Sequence, residues 1–227
     1  MVERICILLR HGDYHQLVDT PSAHQPFGLN HRGREQAGEA VGRIMQMIDR
    51  QGWTLHTEVH SSSLLRAWET AQIVVDGLAA CQRIVETDRL TERCVGSGAN
   101  LNQTQIADAL LQDPRRDPLP SGWKSDSHFR LPFVGAESLM ESGQRVASYL
   151  TETMTGVVES NQAVLFFGHG ASLRHAAHHL GILPFERIAE LSMYHALPVA
   201  LSVSSDGRWR HVAGEWKNRL VESKQMD

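Results

Sequence analysis

The stretch ICILLRHG, residues 5–12, decides how the chain reads. Its first half is a short, unbroken apolar run rich in branched side chains. A strand of that composition, taken here as residues 4–9, is buried on both faces, which is the habit of parallel sheets covered by helices. The run then stops on a cation, an imidazole and a residue without a side chain: Arg10, His11 and Gly12. The same grammar recurs twice. Residues 163–168 (AVLFFG) are followed by His169 and Gly170, and residues 57–60 (TEVH) run into His60 and the polar turn Ser61–Ser63. In open α/β sheets ligands sit beyond the carboxyl ends of the strands. Three chemically loaded strand ends therefore predict one site.

The segments between these strands support the same architecture. Asn30 is placed to cap a helix over residues 31–50, with Ala37, Val41, Ile44, Met45 and Ile48 at helical spacing and Gly52 at its end. A second helix is expected over 64–80, with Leu64, Leu65, Ala67, Ala71, Val74 and Leu78 inward. Residues 84–87 read as a strand, 136–160 as a long helix with Glu137 near its start, and 171–180 as a helix ending at Gly181. A strand pair over 199–205 and 208–213 turns at Asp206-Gly207. Residues 93–135 differ: apart from a helical patch near 102–112, they are rich in proline, glycine and charge, and read as an inserted lid. The expectation is one domain over residues 1–227, a three-layer α/β/α sandwich with a mostly parallel central sheet and a 93–135 insert.

Composition narrows the function class. The 227 residues are 41% hydrophobic and carry a net charge of −4 with both signs scattered, so no basic stripe points to nucleic acid or a membrane surface. No run of about 18 apolar residues could span a bilayer, and residues 5–9 are too short for a secretory signal. Cys6, Cys81 and Cys94 are few and widely spaced, which fits reduced thiols in a cytoplasmic protein. An anionic substrate would have to be held by a local cluster of cations. Arg10 and Arg66 offer planar forks that match phosphate oxygens, and a histidine beside a phosphoryl group can attack phosphorus or move a proton.

The set LLRHG, SSSLLRAWETA, LTER, GAES and FFGHG resembles the histidine phosphatase superfamily, which holds the cofactor-dependent phosphoglycerate mutases and many small-molecule phosphatases. The likeness implies roles. His11 would become the phosphohistidine, Arg10 and Arg66 would hold the phosphoryl oxygens, His169 would stand beside the transferring group, and Glu92 would protonate the leaving oxygen. His169 is followed by Gly170 and Ala171 rather than by Asp, so the resemblance is to the mutase-like branch and not to the acid phosphatases. Glu92 as the acid implies an acidic to neutral optimum. No metal or other cofactor is expected, since arginines and histidines supply the positive charge that phosphoryl transfer requires.

Each residue also has a plainer reading: His11 as a strand-end histidine, Arg66 as a solvated helix charge, Glu92 as a surface carboxylate, Ser62 as a turn former rather than a phosphate ligand. Arg115 and Arg116 either reach a substrate anion from the lid or are solvated. His175 and His179 have zinc-compatible spacing but lack a third ligand. Asp13, Tyr14 and Leu17 depart from the mutase pattern around the nucleophile, and Leu17 cannot donate to phosphate. Asp13 could pair an arginine or face a cationic part of the substrate. The preferred function is a phosphomonoester hydrolase acting on a small phosphorylated metabolite, with Trp123, His128, Phe129 and Arg130 selecting it. The alternatives are a phosphoglycerate mutase, a phosphoprotein or phosphohistidine phosphatase, or a non-catalytic scaffold for phosphorylated proteins. A homodimer is left open.

Overall fold

The structure is a computed structural model that describes residues 3–21, 24–157 and 159–219. The remaining positions of the expected 1–227 domain, including residue 158 in the expected 136–160 helix, lie outside the described residues. In chain order the elements are β1 (Glu3–Arg10), α1 (His31–Gln51), β2 (Thr54–Leu55), β3 (Glu58–Ser62), α2 (Leu65–Gly77), β4 (Arg83–Thr87), α3 (Gln103–Leu111), α4 (Leu139–Gly156), β5 (Gln162–Gly168), α5 (Gly170–His179), α6 (Phe185–Ile188), β6 (Leu191–Ser192), β7 (Val199–Ser204), β8 (Trp209–Ala213) and β9 (Lys217–Asn218).

The central sheet runs β4-β3-β5-β1-β7-β8, with β2 also on β5. β4, β3, β5 and β1 are parallel, while β7 and β8 add an antiparallel edge. Alternation along β1 sends Ile5, Ile7 and Leu9 to a core with Ala40, Ile44, Ala71 and Val74 of α1 and α2. Cys6 and Leu8 go to the opposite core with Val146, Leu150, Leu173 and Ala176 of α4 and α5. These are the three layers expected. Each fully buried aliphatic side chain contributes roughly 1.5–3 kcal/mol over leaving it in water, and that burial anchors β1 between the two cores. Register does the functional work: Arg10 pairs with Gly168, and Ser61 pairs with Phe167, so the three loaded strand ends lie side by side.

Several expectations need correction. α4 begins at Leu139, not 136, because Ser138 and Glu141 form a reciprocal capping box that leaves Glu137 outside the helix. Leu65 is the first residue of α2 and is exposed, since the end of the helix overhangs the core. The 93–135 segment has a small apolar cluster of its own, including Val95, Ile106, Leu110, Trp123 and Leu131. α6 and the short strands β2, β6 and β9 carry too little periodicity to be read from sequence. Asn30 does cap α1, accepting from Gly33 N at 2.8 Å. No helix among the described residues is long and apolar enough to cross a membrane.

Candidate active site

His11 leaves β1 with its backbone still in the sheet, donating to Gly168 O at 3.0 Å. Its ring Nδ1 lies 2.7 Å from Gly12 O. A carbonyl can only accept, so Nδ1 carries the proton and Nε2 presents a lone pair. That lone pair faces Arg66, whose Nε is 3.3 Å away. Arg66 sits in the first turn of α2, fully buried, with its guanidinium 4.6 Å over the Tyr14 ring and Nη1 donating to Gln25 O at 3.1 Å. Thr70, one turn along α2, accepts from Gly12 N and donates to Arg66 O, which fixes the helix against the His11 loop.

His169 opens α5, and its ring centroid is 5.0 Å from that of His11. Its Nε2 lies 2.8 Å from Ser62 Oγ at the end of β3, while its buried Nδ1 has no partner among the described residues. Arg10 completes the group. Its Nη1 donates to Met193 O at 3.1 Å, and its buried Nε is likewise without a partner. A Cβ on Gly170 would stand 3.2 Å from Arg10 Cδ and Nε, so a glycine lets this arginine lie flat against the start of α5. Buried polar atoms without protein partners are uncommon, and two of them beside one imidazole mark a place built for an oxyanion.

Burial, then the charges of Arg66 and Arg10, hold His11 well below the ordinary histidine range. Burial followed by Arg66 does the same for His169. Both rings are therefore neutral near pH 7.

Glu92 reaches the same place from the loop after β4. Its Oε1 accepts from Arg93 N and Ser172 N, and its Oε2 accepts from Ala171 N at 3.1 Å. The carboxylate thus caps α5 from outside, where the helix dipole favours it. Two further side chains hold its loop. Arg145 Nη1 donates to the carbonyls of Asp88, Arg89 and Thr91, while its Nε and Nη2 grip Glu137 at 2.8 Å each. His24 is in contact with Glu92 O at 3.1 Å. His11, Arg10 and Glu92 line a common cavity of about 440 Å³.

Other expected residues are elsewhere. Arg115 and Arg116 do not line this cavity; the turn after α3 folds both onto Asp113, at 2.8 and 3.7 Å. Trp123 and Phe129 pack edge-on in the 93–135 cluster, His128 lies tilted against Phe185 and Arg130 pairs with Glu141. From that segment it is Lys124, Ser125 and Ser127 that line the cavity. Asp13 accepts from Asn30 Nδ2 and Tyr14 N and makes no ion pair with an arginine among the described residues. His175 donates to Ala171 O and accepts from Ser127, and His179 donates to Met140 O, so both ring systems serve packing around α5. Among the described residues no three His, Cys, Asp or Glu side chains are grouped to hold a metal.

His195 was not anticipated. Its Nδ1 donates to His11 O at 2.7 Å, and its ring lies 5.5 Å from the His11 ring. No local signal marks it, because only the β7 crossover beside β1 brings it near.

A two-layered helical cover over a mostly parallel sheet, with paired histidines and arginines at the strand ends, defines a phosphoryl-handling α/β protein. The chain belongs to the histidine phosphatase superfamily (branch 1), whose family model matches residues 6–216. It is 28% identical over 181 residues to a 2,3-bisphosphoglycerate-dependent phosphoglycerate mutase of Parvibaculum lavamentivorans, covering 79% of this chain and 80% of that protein. Among solved structures it resembles mycobacterial hydrolase 1 (TM-score 0.70, 23% identity, 93% of this chain and 97% of that one). It also resembles a mycobacterial glucosyl-3-phosphoglycerate phosphatase (TM-score 0.66, 22% identity, 92% and 97%).

Proposed function

We propose that the protein is a phosphomonoesterase that hydrolyses a small phosphorylated metabolite through a phosphohistidine, without a metal. His11 Nε2 attacks phosphorus in line as the P–O ester bond breaks, and the leaving oxygen takes a proton from Glu92, which binds that proton when the arriving phosphate dianion repels its carboxylate charge. Water then attacks the phosphohistidine, Glu92 receives its proton, the N–P bond breaks, and inorganic phosphate leaves. Arg10, Arg66 and His169 hold the non-bridging oxygens, with Ser62 orienting His169. The 93–135 segment acts as a lid that shapes the pocket. The setting is cytoplasmic and reducing, in keeping with the free thiols of Cys6, Cys81 and Cys94.

The observation that carries this reading is the neutral His11 ring, its lone pair aimed at a buried guanidinium 3.3 Å away. Hydrolysis is favoured over mutase action by two departures. Tyr14 and Leu17 replace the polar contacts that flank a mutase nucleophile, and Arg115 and Arg116 are engaged with Asp113 instead of facing the pocket. The test is turnover of p-nitrophenyl phosphate with EDTA present, for the wild type and for His11→Ala. The wild type is expected to release phosphate and the variant to lose about three orders of magnitude or more. Full activity in His11→Ala, or a strict divalent-metal requirement, would refute the mechanism. Isomerisation of 3-phosphoglycerate in the presence of 2,3-bisphosphoglycerate would move the assignment to the mutases.

A further inference from the structure

The cavity holds more positive charge than one phosphoryl group needs. Arg93 and Arg174 are buried, at 7% and 4% exposure, and both line it, together with Lys124 and Arg219. None of the four makes an ion pair among the described residues, whereas Arg115, Arg130, Arg145 and Arg187 all do. Arg174 donates once, from Nη1 to Leu191 O at 2.6 Å, and its buried Nε has no partner among the described residues. The Arg93 guanidinium lies 5.9 Å over the Trp123 ring. Among the described residues Glu92 is the only carboxylate on the cavity wall, and both of its oxygens are occupied by backbone N–H groups. Burial, then repulsion from Arg219, lowers the Arg174 guanidinium to about 10, with the Glu92 carboxylate opposing them in part.

A desolvated cation without a counter-anion costs free energy, and two on one cavity wall cost more. Such an arrangement persists when a ligand supplies the missing charge. Along α5, Gly170 and Ala171 flank the histidine end, and Arg174 follows one turn later, about 5.4 Å along the axis. Arg10 lies against Gly170. Arg174 therefore stands one helical turn beyond Arg10, and Arg93, Lys124 and Arg219 line the same cavity away from the buried pair Arg66 and His11.

We infer that Arg93 and Arg174, supported by Lys124 and Arg219, form a second anion subsite, and that the substrate is a phosphomonoester carrying a second anionic group, carboxylate or phosphate. This assignment rests on the phosphomonoesterase reading above and names its substrate class. Arg174 and Arg93 bind the second anion by charge-assisted hydrogen bonds, and Lys124 and Arg219 raise its local concentration.

Matched substrates test it by phosphate release. Glycerol 3-phosphate against 3-phosphoglycerate asks about a carboxylate, and fructose 6-phosphate against fructose 1,6-bisphosphate asks about a second phosphate. The doubly anionic member of at least one pair is expected to have a kcat/KM higher by roughly ten- to a hundredfold, with the gain in KM. Arg174→Met should bring that ratio close to one. Lys124→Met, at an exposed position that cannot threaten folding, should lower it about two- to fivefold and weaken its salt dependence. Ratios near one for both pairs in the wild type, or ratios unchanged in both variants, overturn the subsite. Absence of p-nitrophenyl phosphate turnover in the wild type would instead overturn the underlying phosphatase reading.

Discussion

Arg145 lies in α4 and does not line the cavity, yet it holds the segment that leads into Glu92. Its guanidinium donates to three carbonyls of the 88–91 segment and pairs in two-pronged fashion with Glu137, which itself accepts from Cys94 N. Arg145→Met keeps the length and apolar stem but removes all five hydrogen bonds. Charge-assisted bonds are worth roughly 1.5–3 kcal/mol each when well made. Here one Nη1 is shared among three carbonyls, and both partners of the ion pair are 23% exposed, so a total near 2 kcal/mol is reasonable. For a domain of this size that lowers Tm by about 4–8 °C. The loop carrying Glu92 then loses its anchor, and kcat should fall about ten- to a hundredfold with little change in KM, a fraction of what full general-acid catalysis supplies. The leaving group separates positioning from mere loosening. p-Nitrophenolate departs with little protonation, whereas an alkoxide needs the acid, so Arg145→Met should damage glycerol phosphate turnover several-fold more than p-nitrophenyl phosphate turnover. A variant that shows the Tm loss but equal damage to both substrates would refute the positioning argument.

Other consequences are as direct. His195→Ala removes the donor to His11 O and should cost about tenfold in kcat, with His195→Asn recovering part of it; wild-type kinetics in the alanine variant would remove His195 from the site. Gly33→Ala places a Cβ 1.9 Å from Asp13 O, where α1 packs on the loop that follows His11, so roughly 3 kcal/mol of stability and most activity should be lost. Normal thermal melting of that variant would contradict the packing. His60, His175 and His195 are each held at about 4, mainly by burial. Between that value and 6.5 the unfolded chain takes protons that the folded chain refuses, so stability is full above 6.5 and declines with acid, by up to about 1.4 kcal/mol per pH unit for each ring. A Tm that stays flat from about pH 7 to about 4.5 would show that these rings are not buried as neutral species.

Much of this site could be read from residue order because its main parts hang on strand ends. A doubly buried strand announces itself by composition, and parallel register then makes Arg10, Ser62 and His169 neighbours without further information. What escaped depends on contacts that local periodicity does not encode. Arg115 and Arg116 looked available, but Asp113, two and three residues earlier, captures them as the chain turns. Glu137 looked like a helix-dipole residue, yet Ser138 takes the cap and frees Glu137 to anchor Arg145. Leu65 obeys helical spacing but stands at an end that overhangs the core. Arg174 reaches the cavity and His195 reaches His11 only because α5 and the β7 crossover deliver them, at separations of 82 and 184 residues from Glu92 and His11.

The protonation state of His11 is the point at which fold and chemistry meet, and it can be measured. Burial, Arg66 and Arg10 in that order suppress its protonation. The geometry demands the same state, because an Nε2 that carried a proton could not face the Arg66 N–H at 3.3 Å. In the phosphate-free enzyme, ring resonances of labelled histidine should show His11 as the Nδ1–H tautomer, neutral to well below pH 6.5. Arg66→Met removes the nearer cation while leaving burial and Arg10 in place, so His11 should titrate at higher pH than in the wild type without reaching 6.5. If the wild-type ring instead titrated near 6.5, a large share of the enzyme at that pH would have no lone pair to offer phosphorus. Arg66 would then be an electrostatic opponent of the nucleophile, not the group that keeps it ready, and assigning the attack to His11 would lose its physical basis.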